Sequence, residues 1–151
     1  HKKLYRSVYQ NVPDEYYTLP FGKAALVKEG ETVTIISFGA AVHWALETLD
    51  KHTDLSVDLI DLRTLQPLDI TTIFDSVKKT GKAIIYQEDS LFGSISSDIS
   101  ALIMENCFEY LDAPVVRVAS LESPIPFTKA LEDQYLPLGR FEKALLDLIA
   151  Y

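Results

Sequence analysis

Cysteine is almost absent from this chain: Cys107 stands alone among 151 residues, so no internal disulfide can staple the fold. Positive charge is also scarce, with 14 Lys and Arg against 22 Asp and Glu for a formal charge of −8. That balance excludes nucleic acid as a main partner, because phosphate binding needs a concentrated basic surface. No apolar run approaches the roughly 20 residues that cross a bilayer, so no membrane partner is expected. The opening stretch His1-Lys2-Lys3-Leu4-Tyr5-Arg6 has no apolar signal core. The expected setting is cytoplasmic. Fixed-period repeats and low-complexity tracts are missing too, and the length suits one domain of about 100–150 residues.

What is present begins with an unusual arm. Residues 1–22 hold Tyr5, Tyr9, Tyr16, Tyr17, Pro13 and Pro20 without helical or strand period, which predicts an extended linker from a missing upstream domain. From residue 23 the pattern becomes regular. Ala24 to Lys28 and Ser56 to Leu62 read as strands, and Val33 to Phe38 is a β-branched run typical of a strand buried on both faces. Lys82 to Gln87 and Pro114 to Ala119 complete five. Between them lie helical stripes: Val42, Ala45, Leu46 and Leu49; Ile70, Ile73, Phe74 and Val77; and Ile95, Ile99, Leu102, Ile103, Phe108 and Leu111. Asp69 is placed to cap the second of these helices and Gly81 to end it. A short helix from Phe127 to Tyr135 and a closing one through Phe141, Leu145 and Leu148 follow. Strands alternating with helices predict a three-layer α/β/α fold around a five-stranded, mostly parallel mixed sheet. The first two strands are too close for a crossover helix, which predicts a hairpin and one antiparallel edge strand.

Ligands in such sheets favour the carboxyl ends of strands where strand order reverses. Gly39 at one such end offers backbone amides to an anion, or simply a tight turn. Asp61 and Arg63 offer a clamp for a carboxylate or phosphate, or internal hydrogen bonding. Glu88 and Asp89 beside Gly93 lack a neighbouring histidine or third carboxylate for metal or acid–base work, which leaves capping and loop roles. Cys107 falls on a core stripe and reads as a buried small hydrophobe. His43, next to Trp44, and His52 fit structural roles. No nucleophile elbow or zinc ligand set occurs, so no catalytic, cofactor-binding or metal-binding residue is expected in this chain. Six acids between Glu105 and Arg140 (Glu105, Glu109, Asp112, Glu122, Glu132, Asp133) face three bases, a pattern that serves either a solvated face or a basic partner.

Several blocks in order carry a resemblance. They include Pro20-Phe21-Gly22-Lys23-Ala24, Val33-Thr34-Ile35-Ile36-Ser37-Phe38-Gly39, Ser76-Val77-Lys78-Lys79-Thr80-Gly81 and Leu111-Asp112-Ala113-Pro114-Val115. Asp61-Leu62-Arg63-Thr64-Leu65-Gln66-Pro67-Leu68-Asp69 is the most specific. Together they resemble the C-terminal, transketolase-type domain of the β part of thiamine-diphosphate-dependent 2-oxo acid dehydrogenases, pyruvate and branched-chain enzymes alike. Departures include Gln87, where histidine is common, and Glu122-Ser123-Pro124 in place of Asp-Thr-Pro.

The resemblance implies that residues 23–151 form a transketolase C-terminal-like domain, inactive by itself. The full enzyme oxidatively decarboxylates a 2-oxo acid and acylates a lipoyl arm, with thiamine diphosphate and Mg held outside this fragment. The implied partners are the α part of the same enzyme, a second copy across a two-fold axis, and the subunit-binding domain of the lipoyl acyltransferase. Asp112 and Tyr151 are implied to meet that small basic domain, with Glu109 and Glu132 as acidic neighbours. Other thiamine enzymes, such as transketolase or deoxyxylulose-phosphate synthase, and a free-standing ligand-binding module remain alternatives.

Overall fold

The computed structural model describes residues 2–9 and 11–151, so His1, which opens the first motif block, lies outside the described residues. Five strands form one sheet: β1 (Ala25–Lys28), β2 (Val33–Ser37), β3 (Val57–Asp61), β4 (Ala83–Tyr86) and β5 (Val116–Val118), in the order β1-β3-β2-β4-β5. All pairs are parallel except β1 with β3. The helices are α1 (Lys2–Ser7), α2 (Ala40–Lys51), α3 (Ile70–Thr80), α4 (Ile95–Cys107), α5 (Lys129–Tyr135) and α6 (Leu138–Ala150).

The alternation of side chains along β2 explains the three layers. Val33 and Ile35 point with Leu59 and Tyr86 into a core closed by Val42, Ala45 and Leu49 of α2 and Phe141, Leu145 and Leu148 of α6. Ile36 points the other way, with Ile60 and Ile85, against Ile73 and Val77 of α3 and Ile99, Ile103 and Cys107 of α4. A strand covered on both faces has no polar side to show water, and every β2 residue is buried. The helix ends follow local chemistry. The Asp69 side chain accepts from the Thr72 amide, and Gly81 (φ +70°) closes α3 in the left-handed conformation.

Three expectations are corrected. The first two strands are not a hairpin: β3 is inserted between β1 and β2, and β1 is the antiparallel edge against β3. The connecting loop crosses the start of β3 instead of turning back on itself. The Glu31 and Thr32 amides both donate to Ser56 O, at 3.2 and 2.8 Å, and the Gly30 amide donates to Asp58 Oδ1 at 2.8 Å. A Cβ at Gly30 would overlap the backbone at Ser56 and Val57, so glycine is needed for the close crossing. The arm is not extended throughout, because Lys2–Ser7 is helical and the Val8 amide continues the turn onto Leu4 O at 3.0 Å. Lys, Leu and Arg favour a helix even where six residues show no period. Finally, α4 stops at Cys107. A 3-10 turn (Phe108–Tyr110) follows and leaves Phe108 exposed rather than on the core stripe.

Candidate functional site

The two ends of the sheet carry different surfaces. At the amino ends of β4 and β5, a groove of about 460 Å³ is lined by Met104, Phe108, Leu111, Asp112, Pro114 and Tyr151, among others. Pro114 and Tyr151 also line an adjoining apolar groove with Val116, Ala144 and Leu148. Asp112 is fixed here by Gly81: its amide donates to Gly81 O at 2.8 Å, and any Cβ at Gly81 would run into the Asp112 carboxylate. The end of α6 is held by Lys82, whose Nζ donates to Ile149 O at 3.1 Å and so answers an otherwise unpaired terminal carbonyl. Glu109 is exposed on the 3-10 turn between Phe108 and Asp112.

At the opposite end, strand order reverses between β2 and β4. Phe38 after β2 and Glu88 and Asp89 after β4 line a cleft of about 320 Å³ with Ile125, Glu132, Tyr135 and Leu136. Backbone bonds stitch its walls together. The Ser120 amide donates to Asp89 O at 3.0 Å and the Leu121 amide to Tyr135 O at 3.1 Å. The Phe92 amide donates to Glu122 Oε1 at 2.7 Å, and Arg140 donates to Ala119 O and Tyr135 O. Beside this frame, Tyr86 OH, Gln87 Oε1 and Ser120 Oγ are buried without a hydrogen-bond partner among the described residues. Tyr86 stacks on Phe141 at 3.9 Å, and burial pushes its phenol well above the ordinary range.

The sequence-predicted residues therefore divide. Asp112 and Tyr151 share one groove with Glu109 close by, whereas Glu132 belongs to the cleft at the other end. Asp61 and Arg63 form no clamp. The Asp61 carboxylate accepts the Arg63 amide at 3.0 Å, and Arg63 is exposed with φ +55°. Cys107 is fully buried, and burial raises its thiol pKa. His52 Nε2 lies 2.8 Å from Glu142 Oε1 and joins α2 to α6, while the half-buried His43 lines a groove with Leu4 and Trp44. That hydrogen bond holds the Glu142 carboxyl below its ordinary pKa. Sequence reasoning gave no functional role to Lys82, Ile125 or Tyr135, and Gly81 stood out only as a helix stop and as the end of the Ser76–Gly81 block.

Residues 22–139 match the family model described as transketolase, C-terminal domain. The chain belongs to that family. This transketolase C-terminal domain is 44% identical over 139 residues to the pyruvate dehydrogenase E1 component subunit beta of Bacillus subtilis, covering 91% of this chain and 42% of that protein. It is 42% identical over 146 residues to the mitochondrial 2-oxoisovalerate dehydrogenase subunit beta of Dictyostelium discoideum, covering 93% of this chain and 39% of that one. The domain thus spans about two-fifths of the length of these relatives. Among solved structures, a split-gene transketolase described as an inactive beta4 tetramer superposes with a TM-score of 0.74 at 24% identity. That match covers 93% of this chain and 45% of the other and carries the fold alone.

Glu88, Asp89 and Glu132 around the switch-point cleft repel a diphosphate. Among the described residues, no group of three or more His, Cys, Asp or Glu side chains is arranged to hold a metal ion. Among the same residues, no helix is long and apolar enough to cross a membrane.

Proposed function

We propose that this chain is the C-terminal domain of the β part of a 2-oxo acid dehydrogenase decarboxylating component, and that its work is assembly rather than chemistry. The parent enzyme oxidatively decarboxylates a 2-oxo acid with thiamine diphosphate and Mg and passes the acyl group to a lipoyl arm. The domain pairs with a second copy, joins the α part, and docks the basic subunit-binding domain of the lipoyl acyltransferase. One observation carries the docking role: Asp112 and Tyr151, 39 positions apart in the sequence, line the same groove. The carboxylate supplies a charge for an incoming Arg or Lys, and Met104, Phe108, Pro114 and Tyr151 supply apolar area that excludes water around it. This matters because an exposed pair contributes only about 0–1 kcal/mol, while a desolvated one contributes more.

The test is calorimetric titration of a dimeric sample with the acyltransferase subunit-binding domain at low and high salt. Binding that weakens with salt, and falls about tenfold or more in Asp112→Asn, is the expected outcome. No binding at either salt concentration overturns the docking role.

A further inference from the structure

Among the described residues, Arg63 alone combines a side chain with a positive φ, +55°. That conformation is unfavourable for any residue with a Cβ, and it persists only where the surroundings hold it. Here they do. The Asp61 carboxylate accepts the Arg63 amide at 3.0 Å, and Thr64 Oγ1 donates to Pro67 O at 3.1 Å while accepting the Gly22 amide at 2.9 Å. The guanidinium held out by this strained turn is exposed and makes no hydrogen bond or ion pair among the described residues. A second cation stands beside it. β1 pairs with β3 so that Ala25 lies opposite Asp61, and the Gly22–Thr64 bond continues that register past the strand ends, which sets the exposed Lys23 next to Arg63.

The acids around this pair are occupied. Asp61 holds the Arg63 amide, and the buried Asp69, on which Lys23 acts through charge alone, accepts the Ala24 and Thr72 amides and the Thr72 hydroxyl. Along the arm the nearest acid before Phe21 is Glu15. The carboxylates of the switch-point cleft lie past β2, two strand spacings or about 9–10 Å away, beyond the screening length of about 8 Å at physiological salt. By contrast Arg117 and Arg140 donate to carbonyls, and Lys79, Lys129 and Lys143 pair with carboxylates. Phe21, 84% exposed, adjoins the Gly22–Thr64 bond and adds apolar area beside the cations. We infer that this corner docks an acidic segment of another polypeptide, one that lays a carboxylate across the Arg63 guanidinium and an apolar side chain on Phe21. The planar fork of arginine matches a carboxylate, and the apolar contact excludes the water that makes exposed ion pairs weak. A second copy presenting the same corner is repelled by like charge, and a small anion leaves Phe21 uncovered. The partner is opposite in charge to the basic domain at the Asp112 groove, and the inference stands without that docking role.

The test uses the full chain and a fluorescein-labelled dodecapeptide of alternating glutamate and leucine, followed by fluorescence anisotropy. Two control peptides carry glutamine for every glutamate, or serine for every leucine. Saturable binding of the glutamate–leucine peptide is expected, weakened by salt and about tenfold weaker or more with either control. Phe21→Ser and Arg63→Gly are each expected to weaken it about tenfold. Glycine adopts φ +55° without strain, so Arg63→Gly should unfold in urea at a midpoint close to the parent's, and its weaker binding then reports the lost guanidinium rather than a damaged fold. Lys51→Gln removes one positive charge from the far end of α2 and is expected to bind as the parent does. The proposal is overturned if the glutamate–leucine peptide does not bind, or if the glutamine peptide binds equally well. It is also overturned if either Phe21→Ser or Arg63→Gly binds as the parent does, or if Lys51→Gln loses as much affinity as Arg63→Gly.

Discussion

Asp58 is the buried charge around which the split first turn is organised. It is 1% exposed, and it accepts the Gly30 amide at 2.8 Å, the Ser76 hydroxyl at 2.5 Å and the Lys79 ammonium at 2.8 Å. Ser76 in turn contacts Thr34 Oγ1 at 2.6 Å, so one carboxylate links β3, α3, β2 and the crossing loop. Asparagine there keeps one acceptor oxygen, takes the opposite charge away from Lys79, and turns the acceptor facing Ser76 into a donor. Lys79 is 36% exposed and can turn to water, which keeps the loss below that of a fully buried pair. Asp58→Asn is expected to cost about 2–3 kcal/mol in urea unfolding and to speed exchange of the Gly30 amide. A loss under about 1 kcal/mol would show that the network contributes little. The pH behaviour has a definite sign. The Asp58 hydrogen bond holds Lys79 above its ordinary pKa against the opposing effect of burial, so the pair's stabilisation persists through neutral pH. The part that Lys79 contributes is lost as pH rises through the raised lysine value.

Asp69 joins the start of α3 to the start of β1. Its carboxylate accepts the Thr72 amide at 3.3 Å as the cap of α3, the Thr72 hydroxyl at 2.9 Å, and the Ala24 amide at 3.0 Å just before β1. Burial raises its pKa, but these bonds together outweigh burial and leave the group below its ordinary value. A lowered carboxyl stabilises the fold above the ordinary aspartate range and gives that up as pH falls through the lowered value. Asp69→Ala is therefore expected to lose about 1–2 kcal/mol at neutral pH and to show a shallower fall in stability below about pH 4. Parallel acid limbs for variant and parent, followed by circular dichroism, would count against this. The cap was legible in the sequence because Asp followed by an apolar stripe is a local signal, and β2 was legible because five consecutive buried residues leave no polar side. The pairing of β1 was not, since strand order is decided by long-range contacts that a short connection does not reveal. Likewise Asp112 and Tyr151 reached the same groove through the resemblance, while Glu132, placed with them from charge alone, belongs to the other end. Acidic residues close in sequence are separated once α4 and β5 carry the chain the length of the sheet.

At the scale of the molecule, the arm is the open question about what folds as a unit. Among the described residues, neither core cluster includes one before Ala24. The arm shows Tyr5, Tyr9, Tyr16 and Phe21 to solvent, each more than four-fifths exposed. Side chains left in water contribute little of the burial free energy that holds a domain together, roughly 25 cal/mol for each Å² of apolar surface removed from water. Its end is tied to the body at Gly22, whose amide donates to Thr64 Oγ1 at 2.9 Å, and at Ala24 on Asp69. Deleting residues 1–21 spares both. The shortened chain is expected to unfold in urea with the same slope and a free energy within about 1 kcal/mol of the parent, because the surface exposed on unfolding is nearly the same. It should also stay soluble at higher concentration, since the deleted stretch carries exposed aromatic side chains. A lower slope, or a loss of several kcal/mol, would place α1 and the tyrosines in the folding unit. An unchanged unfolding curve would make residues 22–151 the unit that folds, and the arm a segment whose apolar side chains are kept for contacts beyond this domain.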